Sequence, residues 1–186
     1  MPTTADYVLH ECGHLVIAKA LGFRTGAISL DVTQAHAELD IIPSGATLAE
    51  VEDFIERRVM VLYAGAVAQS LQNKQIVPQV CIDLLKTTAL DDWRKIQEYV
   101  RLLAGIKHPG CKTEAEFAPK LKEVDDYIAN KAGEVVDKYS ELIMALCNFF
   151  LERRMAAPKV LNRPPEKFVL SRDEIDNFPP IKQAFP

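Results

Sequence analysis

His10-Glu11-Cys12-Gly13-His14 stands inside the run Ala5-Asp6-Tyr7-Val8-Leu9-His10-Glu11-Cys12-Gly13-His14-Leu15-Val16-Ile17-Ala18-Lys19-Ala20-Leu21-Gly22, and the reading of that run decides the fold. The five residues form an H-E-x-x-H pattern, whose chemistry depends on a helix. At about 3.6 residues per turn, positions i and i+4 lie one above the other, so two imidazoles can face one tetrahedral Zn²⁺. Glu11 is rotated about 100° from His10. That is too far round for a natural third ligand, yet close enough to reach a water on the metal and take its proton as general base. Val8, Leu9, Cys12, Leu15, Val16 and Leu21 supply apolar contacts on both sides of the histidine stripe. The pattern predicts a partly buried helix over residues 4–21 rather than a surface helix that merely carries two histidines. Thr3 or Thr4 can cap its start, Asp6 sits in its first turn, and Gly22 stands where a left-handed C′ residue is wanted.

Downstream, residues 27–32 and 37–42 alternate apolar and polar, which predicts a small antiparallel hairpin or sheet over residues 26–42, closed by Pro43-Ser44-Gly45. A short sheet beside a zinc helix offers an edge for an extended peptide, so Ala37, Glu38 and Leu39 are candidate substrate-binding residues. Thr47-Leu48-Ala49-Glu50 is a capping box opening a helix over residues 47–72. Its segment Ala64-Gly65-Ala66-Val67-Ala68 is small enough for the motif helix to approach closely, a reason for Gly65 despite its propensity cost of about 1 kcal/mol. A loop over 73–78, a short helix over 80–85 and a helix over 87–104 ended by Gly105 follow. Then comes a long helix over about 119–155, with Leu121, Val124, Tyr127, Ile128, Val136 and Ile143 in its apolar stripe and Gly133 as a break point. In the tail, 156–186, Ser171 reads as the N-cap of a short final helix. The expected fold is mainly α, one helical zincin-like peptidase domain over 1–186 with a small sheet next to the zinc helix.

Composition narrows the function classes. The 186 residues are 48% hydrophobic and 26% charged, with a net charge of −4 and both signs mixed along the chain. A nucleic-acid partner would need a concentrated basic face, which is absent. No apolar run reaches the roughly 20 residues of a membrane span, and the longest candidate, 59–67, is interrupted by Gly65. The N-terminus runs straight into the motif helix without a signal peptide, so the expected location is cytoplasmic. Cys12, Cys81, Cys111 and Cys147 lack C-x-x-C spacing and read mostly as buried reduced thiols, Cys12 as core packing.

Two histidines leave a catalytic zinc one protein ligand short. The other histidines are His36, in the hairpin, and His108, in a Pro/Gly loop. Glu38 lies 24 residues past His14, but in a strand where a helix would be expected. Asp91 and Asp92 are stronger candidates. Carboxylates at a helix N-terminus are commonly caps, and one can serve as a ligand while the other caps.

The sequence also resembles a family. His10-Glu11-Cys12-Gly13-His14-Leu15-Val16, with Ala18 and Leu21-Gly22, looks like the H-E-x-G-H helix of the FtsH-type, AAA-plus-associated zinc proteases. Residues 62–71, Leu-Tyr-Ala-Gly-Ala-Val-Ala-Gln-Ser-Leu, are similar to their small-residue helix. Thr88-Ala89-Leu90-Asp91-Asp92-Trp93 falls where that family has an Asn-Asp-Leu segment. The resemblance implies a zinc metalloendopeptidase that hydrolyses unstructured polypeptides, with Zn²⁺ on His10, His14 and Asp92 and Glu11 as the base. The chain departs from the family at Ala66-Val67 and Gln69-Ser70, where an Arg and a Glu-Glu pair are usual, and at Trp93 and Ile96-Gln97 beside the Asp. It also contains no G-x-x-x-x-G-K-S/T phosphate loop. The expectation is therefore a stand-alone peptidase domain, with an unfolded polypeptide as substrate and a separate ATPase or a homo-oligomer as partner. The alternative is a catalytically silent zinc-binding adaptor or regulatory domain.

Overall fold

The computed structural model describes residues 3–31, 34–42, 45, 47–158 and 164–186. In chain order it contains α1 (Thr4–Ala20), β1 (Arg24–Leu30), β2 (Ala35–Asp40), α2 (Leu48–Gln69), β3 (Leu71–Gln72) and β4 (Gln75–Ile76). There follow α3 (Pro78–Leu85), α4 (Leu90–Lys107), α5 (Glu114–Ala156), β5 (Phe168–Leu170), α6 (Arg172–Asp176) and α7 (Pro179–Ala184). The protein is mainly helical with a small antiparallel sheet.

Local chemistry sets the ends of α1. Thr3 and Asp6 form a capping box, the Thr3 side chain accepting from the Asp6 N–H and the Asp6 carboxylate accepting from the Thr3 N–H. At the other end Gly22 adopts φ +81°. Its N–H donates to the Lys19 carbonyl and that of Phe23 to the Ala18 carbonyl, the paired bonds of a Schellman stop. Between the caps, Cys12, Leu15, Val16, Ile17 and Ala18 are fully buried. Helices α2 and α5 and the strands β1 and β2 pack round α1, and α4 packs on α2 and α5.

The sheet is larger than the expected hairpin. Its order is β2-β1-β5, all antiparallel, because β5 from the C-terminal tail pairs with β1 from Ile28 to Leu30. That leaves β2 as the edge nearest α1. The register of β1 against β2 slips between Thr25 and Ile28, a bulge over which Glu38 folds. The Glu38 carboxylate accepts from the Ala27 N–H, and a Cβ on Gly26 would lie 2.6 Å from it. Val32 and the turn residues Pro43 and Ser44, expected to end and close the hairpin, lie outside the described residues.

Several boundaries differ from the sequence reading. The expected loop 73–78 holds a two-residue hairpin, β3–β4, turned by Asn73 and Lys74 at φ 50° and 66°. This is the left-handed pair that type I′ turns need. Lys in place of the usual Gly hid the signal. Helix α3 starts earlier, with Pro78 in its first turn. Helix α4 runs through Gly105 to Lys107, held by the packing of Ile106 on the core and by the ion pair of Lys107 with Glu56. Helix α5 likewise continues through Gly133 and starts five residues before Pro119, where Thr113 caps it. Tyr127 is not in its apolar stripe: it is 46% exposed, with the ammonium groups of Lys131 and Lys107 over its ring.

Candidate metal centre

Helices α1 and α2 approach closely because Gly13 has no side chain. A Cβ there would lie 2.6 Å from the Ala64 carbonyl oxygen and 2.6 Å from the Ala68 Cβ. His10, about one turn before Gly13 on α1, and His14, the residue after it, therefore lie over α2. Gly65 makes room for them: a Cβ at that position would sit 2.5 Å from His10 Nε2 and 2.6 Å from His14 Nε2. The glycine expected to admit a helix backbone thus admits two imidazoles, and Gly13 is what brings the backbones together.

The outer ring nitrogens are fixed by α2. His14 Nδ1 lies 2.7 Å from the Val61 carbonyl oxygen, which can only accept, so Nδ1 carries the proton. His10 Nδ1 lies 3.2 Å from Gln69 Oε1, which orients that ring in the same sense. Both Nε2 atoms then face inward, 3.0 Å apart. Asp92 Oδ2 completes a triangle, 3.0 Å from His10 Nε2 and 3.1 Å from His14 Nε2. Three electron-rich atoms at such distances repel one another unless a proton or a cation lies among them.

These residues could hold a metal ion. Bond lengths of about 2.0–2.2 Å place the donors of a tetrahedral zinc site about 3.3–3.6 Å apart, so a few tenths of an ångström of widening of the observed 3.0–3.1 Å triangle would admit the ion. The donor set, two imidazoles and a carboxylate, suits that ion, and each imidazole has the outer hydrogen bond that metal-binding histidines characteristically make. Burial opposes charge on His14, but the hydrogen bond and charge of Asp92, with Glu11 and Val61 adding to them, push its pKa up to about 9. Burial likewise opposes charge on Asp92. The bonds from His10 and His14 outweigh it and hold the carboxyl well below the usual range.

The other candidates fall elsewhere. Asp91 is 86% exposed against 17% for Asp92 and pairs with Arg94 at 3.3 Å. Neither caps α4, whose N-cap residue is Ala89. Glu38 is committed to the bulge and is not near the triangle. His36 is exposed and lines the cavity without joining the group. His108 caps the far end of α4, roughly 24 Å along the helix from Asp92. Cys12 is fully buried, and burial, with Cys147 of α5 nearby, pushes its thiol well up.

Glu11 lies on the wall of a cavity of about 380 Å³ shared with His10, His14 and Asp92. Its Oε2 accepts from the Ala37 N–H at 2.7 Å, so the edge strand holds the carboxylate in place. Ala37 and Leu39 line this cavity, whereas Glu38 faces a different depression with Gly26 and Arg172. Sequence reasoning missed Arg58, Gln69, Tyr7 and Lys95 on the walls. The first two were within reach: Arg58, Leu62, Gly65 and Gln69 step by four, three and four, one face of a helix.

The chain matches no protein-family model and no curated protein. Among the described residues, no helix is long and apolar enough to cross a membrane.

Proposed function

We propose that the chain is a zinc-dependent endopeptidase that hydrolyses unstructured polypeptides, a zincin-like domain of the kind found in the FtsH-type proteases. The observation that carries this reading is the convergence of His10 Nε2, His14 Nε2 and Asp92 Oδ2 within 3.0–3.1 Å of one another, on a cavity wall that also presents Glu11. His10, His14 and Asp92 would hold the ion and leave its fourth position to water. A zinc ion in that place supplies a Lewis acid, which acidifies a water and polarises the scissile carbonyl. Glu11 would accept the proton of the attacking water and return it to the leaving amine. The Ala37 N–H on Oε2 fixes the carboxylate and leaves Oε1 to carry that proton. The edge of β2 at Ala37 and Leu39 borders the cavity and suits an extended substrate backbone.

Glu11→Gln should keep zinc and abolish cleavage of an unfolded substrate such as reduced casein, with a chelator-treated sample as the blank. Turnover retained in that variant would remove Glu11 from the role of base. One feature favours the second reading, a zinc-binding adaptor that does not cleave. The Glu11 carboxylate is already engaged by the strand on which substrate would lie. Wild-type protein that carries zinc yet cleaves no member of a broad peptide library would establish that reading.

A further inference from the structure

The charges on the cavity wall are unevenly partnered. Each carboxylate is committed: Glu11 to the Ala37 N–H, Asp92 to the two imidazoles, Asp91 to Arg94. The two cations, Arg58 of α2 and Lys95 of α4, are not: among the described residues neither is ion-paired with any carboxylate. An exposed lysine without a partner is ordinary. A half-buried guanidinium without one is not, because removing that charge from water is costly and is normally offset by an opposite charge. Among the described residues no carboxylate lies in ion-pair contact with Arg58: the Tyr99 side chain supports its charge, and the Asp92 carboxylate acts on it only from beyond contact distance. Burial pulls the Arg58 pKa down, and Tyr99 and the more distant Asp92 only partly offset it. Arg58 also sits in the helical stripe that reaches the imidazoles at Gly65, so a group bound to it lies in the same cavity as the metal triangle.

We propose that Arg58, assisted by Lys95, binds a carboxylate of the substrate, so that the enzyme selects peptides carrying an acidic side chain or a free C-terminus in reach of the site. A guanidinium with several unspent donors binds a carboxylate with two parallel hydrogen bonds, which fixes orientation as well as charge. The peptidase reading supplies the substrate class, but carboxylate binding is measurable without turnover.

The test uses three unstructured ten-residue peptides bearing an uncharged fluorophore. One has a single internal Glu and an amidated C-terminus, one has no acidic residue and a free C-terminus, and one has neither carboxylate. Binding is read by fluorescence anisotropy on full-length, zinc-loaded Glu11→Gln protein. At least one carboxylate peptide should bind about tenfold or more tighter than the neutral one. Which of the two does so identifies the source of the carboxylate. Arg58→Gln should erase the preference, and Arg58→Lys should restore part of it. Lys95→Gln, at an exposed position, should reduce it by a smaller factor. Equal binding of all three peptides, weak or strong, overturns the inference, as does a preference that survives in Lys95→Gln and in every Arg58 variant that folds. Preference without any cleavage by the wild type would instead overturn the peptidase reading and leave carboxylate binding standing. Where cleavage occurs, the Arg58→Gln effect should fall on KM rather than kcat.

Discussion

Helix α2 carries a half-buried carboxylate against each of two faces, and the two behave in opposite ways. On one face, beside Gly65, Asp92 is held well below the usual carboxylate range. On the other, Asp125 of α5 lies near a second cavity of about 470 Å³ and is pushed up by burial, which its bond to Tyr63 only partly offsets. Desolvation acts on both, so the difference lies in the partners. Tyr63 brings one O–H to Asp125 at 2.6 Å, and donor and acceptor are matched. Around Asp92 the imidazoles turn their Nδ1–H groups to Val61 and Gln69 and bring their Nε2 atoms inward, so a proton or a cation must lie among the three donors. That cluster is matched only while it holds a proton or a cation. The Tyr63–Asp125 pair is complete as it stands.

Removing a ligand should break the contrast most severely. Asp92→Ala should abolish stoichiometric zinc after dialysis, while Asp91→Ala, whose side chain is spent on Arg94 at the surface, should keep one zinc per chain. The reverse outcome in metal analysis would move the third ligand. Next in size is Gly65→Ala, whose Cβ would lie within 2.6 Å of both Nε2 atoms. Displacing the rings should weaken zinc binding about 10- to 100-fold, the range seen when supporting contacts of metal ligands are lost. Gly133→Ala serves as its control, because a Cβ there meets nothing within 4 Å. That change should leave zinc untouched and stabilise α5 by about 0.5–1 kcal/mol. An unchanged zinc Kd in Gly65→Ala would show that the imidazoles have room to retreat and that the missing side chain at Gly65 is not what seats them.

The same contrast explains what the sequence made legible. The H-E-x-x-H spacing fixes its own geometry within five residues, so His10, Glu11 and His14 could be placed before any fold was known. The Thr3, Thr47 and Ser171 caps and the Gly22 stop are equally local. Asp92 was harder, because it lies 78 residues from His14 and only the packing of α4 on α2 separates it from Asp91. Its neighbour could not be excluded until the burial of each was known. The pairing of β5 with β1 spans still more chain and leaves no periodic trace in three residues. Gly133 misled because a helical glycine does not stop a helix whose later turns are buried, and Ile143, Leu146 and Phe150 draw α5 on past it; α4 runs only two residues past Gly105, where Ile106 packs on the core and Lys107 pairs with Glu56.

A smaller effect should appear in the pH dependence of metal uptake. With the His14 pKa raised to about 9, the metal-free protein at pH 7 holds a proton at Nε2, since Nδ1 is already bonded to Val61. Zinc must displace it. Apparent affinity should therefore climb about tenfold per pH unit between pH 7 and about 9 and then level off. The stability of the metal-free protein moves the other way. A raised histidine pKa contributes stability that is fully present below the unfolded value of about 6.5 and is lost as pH rises through about 9. Calorimetric titration at pH 7 in buffers of differing ionisation enthalpy counts the protons, and release of none would contradict this account.

The smallest effect belongs to the matched pair. Tyr63→Phe keeps the ring and removes the single donor from Asp125, so it should cost about 1 kcal/mol of folding free energy and leave zinc affinity unaltered. Its pH dependence follows from the direction of the Asp125 shift. A carboxyl whose folded pKa is raised is stabilising in its protonated form, below the unfolded value near 3.9, and that contribution is lost as pH rises through the folded value. The Tyr63 hydroxyl limits this loss by bonding the charged form, so the variant should lose more stability at pH 7 than at pH 3. Chemical denaturation of both proteins at the two pH values measures the difference. Equal losses at both would mean that the hydroxyl serves the neutral acid as well as the carboxylate, and that the pair is held by packing of α2 on α5 rather than by the charge on Asp125.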